Sequence, residues 1–172
     1  MAPPHSHRVG AFGLAVLMAC AALPVSAQGL VRLDTSASPR LQQTTNVVTD
    51  ENGRAFASNP LARQAVARFG RVEHRLATAD FVGRRVKIYL QMPLPPPGVL
   101  NREGLKARWQ GLDGALDGEA ELGQRALVWS GVVSGPLHNI AFDLSMVVEV
   151  AQIDGRFNGP LGFEPIFYLE PL

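Results

Sequence analysis

The sequence predicts an all-β protein: an antiparallel β-sandwich of immunoglobulin-like architecture with about six or seven strands and at most one short helix, a small β-barrel being the alternative. Three observations carry this expectation. Apolar residues recur at every second position in several separate runs, Gly, Pro, Asn and Asp cluster between the runs, and 3.6-residue periodicity is almost absent.

The chain opens with a different signal. Met1 to Arg8 carries His5, His7 and Arg8 without an acid, and an apolar run from Val9 through Leu23 follows, the pattern of a secretory signal peptide. Val25-Ser26-Ala27 supplies compact residues for the peptidase, so cleavage is expected before Gln28 and residues 1–27 form the signal peptide. The apolar run is short and interrupted by Gly10, Gly13 and Pro24, so no transmembrane span is expected in the mature chain. Leu17-Met18-Ala19-Cys20 loosely resembles a bacterial lipobox, and a lipid anchor at Cys20 is the alternative processing route. Cys20 is the only cysteine, so no disulfide can form and the mature domain must rest on one buried core.

From Gln28 to Ser58 the composition is polar and no apolar period persists, which reads as an arm or linker over residues 28–58. Its apolar islands, Leu30-Val31-Arg32-Leu33 and Asn46-Val47-Val48, each suffice for a short edge strand, docked on the domain or on another molecule. The domain proper is placed at residues 59–172. At its start, Asn59 as a cap, Pro60, the spacing of Leu61, Ala65 and Phe69, and Gly70 predict a short helix from Pro60 to Phe69, with a strand running into the next segment as the competitor.

After Gly70 the period is two. Val72, His74 and Leu76 mark one strand, and Val86, Ile88, Leu90 and Met92 the next, until Pro93 and Pro95-Pro96-Pro97-Gly98 force a stiff loop. Leu105, Ala107 and Trp109 make a third strand, and Asp113-Gly114 and Asp117-Gly118 favour tight turns with positive φ. Arg125 to Ser134 reads as a strand in which Gly131 marks a bulge. Ile140, Phe142, Leu144, Met146, Val148 and Val150 form the longest clean alternation and predict the central strand; Asp154-Gly155 and Asn158-Gly159-Pro160 turn the chain back, and Leu161 to Leu169 closes the domain with Pro165 at an edge or bulge.

Charge excludes one function class. The chain holds 16 basic and 15 acidic residues, and loss of Arg8 with the signal balances them, which argues against a nucleic-acid partner. The distribution is uneven: residues 60–110 carry ten basic groups against Glu73, Asp80 and Glu103, whereas residues 111–172 carry Arg125 and Arg156 against nine acids. Strands of the two halves lying side by side would pair these charges across a sheet; a dipolar molecule meeting a charged partner is the other reading.

No motif names a reaction. Gly131-Val132-Val133-Ser134-Gly135 has the wrong spacing for a nucleophile elbow, and His138 and Asp143, five apart on a strand, face opposite ways, so Ser134, His138 and Asp143 make a poor triad. His74 and His138 are the only histidines after the signal, without metal-ligand spacing. Asp113, Asp117, Glu119 and Glu121 are the best calcium candidates but lack the loop pattern for that ion, and Glu73 and Asp80 read as surface charges. No catalytic, cofactor-binding or metal-binding residue is therefore assigned, and no cofactor is expected. The candidate interaction surface is Arg85, Lys87 and Tyr89 on one strand face with Pro95, Pro96 and Pro97 in the following loop. These features favour an exported non-enzymatic β-sandwich, periplasmic or secreted, acting by protein–protein interaction on another protein of the bacterial envelope or cell surface. A small-ligand or metal-ion carrier on a barrel is the alternative, and a hydrolase the third reading.

Overall fold

A computed structural model of the protein describes residues 29–39, 48–156 and 163–172. The signal peptide, Cys20, most of the second apolar island and Asn158-Gly159-Pro160 lie outside the described residues. The strands are β1 (Val31–Arg32), β2 (Val48–Thr49), β3 (Gln64–Ala77), β4 (Arg85–Gln91), β5 (Leu105–Leu112), β6 (Gly118–Glu121), β7 (Arg125–Val132), β8 (Leu137–Glu149) and β9 (Ile166–Pro171). They form two antiparallel sheets, ordered β1-β9-β4-β7 and β2-β3-β8-β5-β6, packed face to face as a sandwich. Only β5 and β6 are both consecutive in sequence and paired beyond the short β2–β3 contact. The likeness to an immunoglobulin domain is thus one of layers; its characteristic strand order is not followed.

The alternating runs place one face of each strand in the core. Val86, Ile88 and Leu90 of β4, Phe167 and Leu169 of β9, Leu105, Ala107 and Trp109 of β5, and Ile140, Phe142, Met146 and Val148 of β8 are all buried. Each large apolar side chain removed from water contributes roughly 1.5–3 kcal/mol against the entropy of ordering the chain. As its alternation predicts, β8 is central, lying between β3 and β5.

The expected helix at Pro60–Phe69 is not formed; β3 starts at Gln64 and is a single strand of 14 residues. Its register against β8 shifts between Arg68 and Gly70, and Gly70 has a φ of 69°. This bulge changes which parity points inward, from Ala65, Ala67 and Phe69 before it to Val72, His74 and Leu76 after it. Leu61, the first residue of the apparent helical stripe, is 86% exposed. The i, i+4 spacing of Ala65 and Phe69 that imitated a helix is a single strand face ahead of the bulge, and Leu61 precedes the strand. Among the described residues the helical segments are four 3-10 turns and no α-helix.

The first apolar island of the polar segment, and the described end of the second at Val48, dock on the domain itself. Val31 and Arg32 pair with Leu169 and Tyr168, the Leu33 amide donates to the Phe167 carbonyl at 2.9 Å, and Leu33 is buried. Val48 and Thr49 pair with Ala67 and Val66 at the edge of the other sheet. Between β2 and β3, the buried carboxylate of Asp50 organises the turn. Its Oδ1 accepts from the amides of Asn52 (2.9 Å) and Arg54 (2.8 Å), and its Oδ2 accepts from Arg54 Nε (2.9 Å) and Asn59 Nδ2 (2.8 Å).

Two further expectations change in detail. Gly131 is not the bulge of β7: the register against β4 shifts between Ile88 and Tyr89, leaving Val128 as the extra residue. Gly131 is small because the Trp129 indole covers it, and a Cβ there would come within 2.7 Å of the ring. Asp113-Gly114 does form a turn with φ of 55° and 90°. Asp117-Gly118 does not; Asp117 Oδ1 accepts from the Gly111 amide at 2.7 Å, and Gly118 begins β6 where the Trp109 ring leaves no space for a side chain.

Candidate interaction surface

The outer face of the four-stranded sheet follows from the same alternation. With Val86, Ile88 and Leu90 turned inward, Arg85, Lys87, Tyr89 and Gln91 face outward. Residues opposite one another across a sheet share a face, so register adds Tyr168 beside Tyr89, Glu170 and Ser130 beside Lys87, Val132 beside Arg85, Arg125 beside Gln91, and Arg32 beside Tyr168. The predicted Arg85, Lys87 and Tyr89 therefore do lie together. The predicted prolines do not join them, because Pro95–Pro97 follow the opposite end of β4. There the loop crosses to the other sheet: Leu100 N donates to Gln152 O (2.9 Å) and Asp154 N to Gly98 O (2.9 Å).

The polar groups of this face are fixed by specific contacts. Tyr89 donates its hydroxyl to Glu170 Oε2 at 2.5 Å, and this bond to a carboxylate is the main reason its pKa is raised above the usual 10, with burial and the Glu170 charge adding to it. Arg125 donates to Gln91 Oε1 at 2.6 and 3.1 Å and lies over the Tyr168 ring, 4.5 Å from its centre. Among the described residues in register on this face, four are cations, Arg32, Arg85, Lys87 and Arg125, and one is a carboxylate, Glu170, which is engaged by Tyr89.

The opposite face of the sandwich is balanced. Lys106 lies 3.5 Å from both Glu119 and Glu121, Arg108 is 3.0 Å from Glu119, and Arg71 is 2.7 Å from both Glu73 and Asp113. The basic first half and the acidic second half of the chain meet here, side by side. These pairs are exposed or, for Lys106 with Glu121, partly exposed, and each adds little to stability.

Strand β7 borders the cationic face and is the long edge of its sheet. Val133 N donates to Arg84 O (3.0 Å) and Val133 O accepts from Gly83 N (2.8 Å), so the backbone of Val133 faces the β4 side. Pairing direction alternates along an antiparallel ladder, so Gly131 and Trp129 also face β4, and Ser130 and Val132 turn their N–H and C=O groups to the edge. Arg85, opposite Val132, likewise turns away, accepting from Leu172 N at 3.0 Å. Nearer the start of β7 the edge is covered, where Leu116 N donates to Val128 O at 2.8 Å. Ser130 to Val132 is therefore an open stretch among the described residues, and Val132 is 50% exposed.

The other sequence candidates are dispersed. Ser134 is exposed after β7, His138 packs against Trp129 in a tilted arrangement with ring centres 4.2 Å apart, and Asp143 lies on the outer face opposite Arg71. His138 Nε2 is buried without a hydrogen-bond partner among the described residues, and burial lowers its pKa. His74 lies between the sheets, with ring centres 4.9 Å from Phe167 and 6.4 Å from Phe142; burial lowers its pKa to about 4. Asp113, Glu119 and Glu121 are engaged by cations and Asp117 by a backbone amide, and no group of three potential metal ligands occurs among the described residues. Among the described residues no helix is long and apolar enough to cross a membrane.

The sequence missed Arg125, Tyr168, Glu170 and Arg32. The alternation of Ile166, Tyr168 and Glu170 with Phe167 and Leu169 marks an outward set, but nothing local says that β9 lies beside β4. No family model, curated protein or solved structure gives a significant match to the chain. The class defined by its fold is the all-β sandwich.

Proposed function

We propose that this chain is an exported, non-enzymatic β-sandwich that acts by protein–protein interaction in the bacterial envelope or at the cell surface. The observation that carries the reading is the open edge of β7 at Ser130–Val132, bordered by the cationic face that includes Arg85 and Lys87. An exposed strand edge offers unpaired backbone donors and acceptors, and a partner segment that adds a strand satisfies them. Export is supported by the n-region, apolar run and Val25-Ser26-Ala27 site of the first 27 residues.

Docking through the polar arm is the less favoured route, because Val31–Leu33 and Val48–Thr49 are already engaged by the domain's own sheets. The test is photo-crosslinking in native cells from an unnatural amino acid at position 132, compared with the same probe at exposed Asn139 on the opposite sheet. The expected result is one discrete adduct from position 132 that disappears when Ser130 is replaced by proline. Equal adducts from both positions, or adducts indifferent to that proline, defeat the proposal.

A further inference from the structure

Resting on the reading of β7 as the docking edge, we infer that the segment it accepts is an acidic extended strand, whose backbone pairs with Ser130–Val132 and whose outward side chains are carboxylates. The argument is one of charge and reach. Arg85 and Lys87 stand one strand in from the edge, opposite Val132 and Ser130, and neither has an ion-pair partner among the described residues. The only carboxylate in register with Lys87 is Glu170, on β9 and so on the side of β4 away from the edge, and it is engaged by the Tyr89 hydroxyl.

Ser130 keeps the path to the edge short. Its side chain is small and folds back to donate from Oγ to Val86 O at 3.3 Å, so Lys87 has no bulky neighbour between itself and an added strand. Arg125, farther along β7, adds a third cation on the same face. An added strand directs alternate side chains to this face, where carboxylates meet cations and lysines meet like charge. Hydrophobic residues at the intervening positions would continue the inner face beside Trp129.

The test uses the full domain and two blocked eight-residue peptides, alternating valine with glutamate or valine with lysine, at low ionic strength. Fluorescence anisotropy of labelled peptide should show the glutamate form binding at least about tenfold more tightly than the lysine form. The Arg85→Glu/Lys87→Glu double variant should reverse that order. Val132→Pro should abolish binding, and because the Val132 N–H faces out of the sheet, circular dichroism and the melting temperature should stay close to those of the parent. A glutamate peptide N-methylated at alternate amides provides a second readout that leaves the protein untouched, and it should bind at least about tenfold more weakly than its parent.

Equal binding of the two peptides, both abolished by Val132→Pro, overturns the acidic partner and leaves the docking edge standing. Binding of the glutamate peptide that survives both Val132→Pro and N-methylation overturns strand addition and the docking edge together. Failure of both peptides to bind at millimolar concentration also overturns the inference.

Discussion

Glu170 stands in register with Lys87, yet its carboxylate accepts from the Tyr89 hydroxyl at 2.5 Å, with no lysine ammonium within ion-pair distance. The neutral phenol is the partner that this carboxylate favours, since ionising Tyr89 would set two anions together. In a spectrophotometric titration of the Tyr168→Phe variant, the remaining phenol should therefore ionise above 10. Adding Glu170→Gln should bring the midpoint down; an unchanged midpoint would show that the hydrogen bond does not set it.

Acid should weaken the sandwich in two separate windows. His74 is neutral in the fold, with its pKa lowered from 6.5 to about 4 by burial. The unfolded chain binds the proton more readily, so stability falls as pH drops from 6.5 toward 4, by about 3 kcal/mol at the lower end. Urea unfolding of His74→Phe should show a flatter pH dependence over that interval than the parent. A parallel fall in both proteins would mean that another group carries it.

Asp50 governs the lower window. Burial alone would raise its pKa, but hydrogen bonds from Asn59, Arg54 and Asn52 outweigh it and hold the carboxyl at about 2. Its contribution is present above 3.8 and is lost as pH falls toward 2. Asp50→Ala should leave those four donors without their acceptor and loosen the turn, exposing the Arg54 bond to trypsin more rapidly than in the parent at neutral pH. Unchanged cleavage would remove Asp50 from its place as the turn's organiser.

The contact of Trp129 with Gly131 sets a steric limit on β7. A methyl group at position 131 would meet the indole at 2.7 Å, and that ring also packs against His138, with ring centres 4.2 Å apart. Gly131→Ala should cost roughly 1–3 kcal/mol in urea unfolding, the usual range for overpacking. Coupling it to Trp129→Leu should recover part of the loss, since the smaller side chain vacates the position. Additive losses in the double variant would place the strain elsewhere.

Strands that keep one parity were legible from alternation: β4, β5 and β8 emerge from Val86–Leu90, Leu105–Trp109 and Ile140–Val148. Strands that change parity were not. In β3, Ala65 and Phe69 share one strand face at an i, i+4 spacing that a helix also gives, and the parity change at Gly70 broke the alternation that would have shown a strand; the bulge at Val128 moved the switch expected at Gly131. Short segments whose pairing partners are distant were also hidden, for Leu33 becomes a core residue only through β9, more than a hundred positions away. The candidate face was half visible for the same reason. Arg85, Lys87 and Tyr89 sit on one strand, whereas Glu170 and Arg125 reach them through a topology that no local pattern encodes.

The position of β9 has a consequence for the order in which the molecule is made. β9 lies second in its sheet, between β1 and β4, and supplies Phe167 and Leu169 to the centre of the sandwich. Until β9 has been synthesised, β7 is the only one of β4's two sheet neighbours available to it, and its other flank has no strand to pair with. Long-range pairing of this kind is slow and leaves nascent chains open. If the chain is exported as proposed, a translocation channel that admits only unfolded polypeptide would meet it before its core has closed.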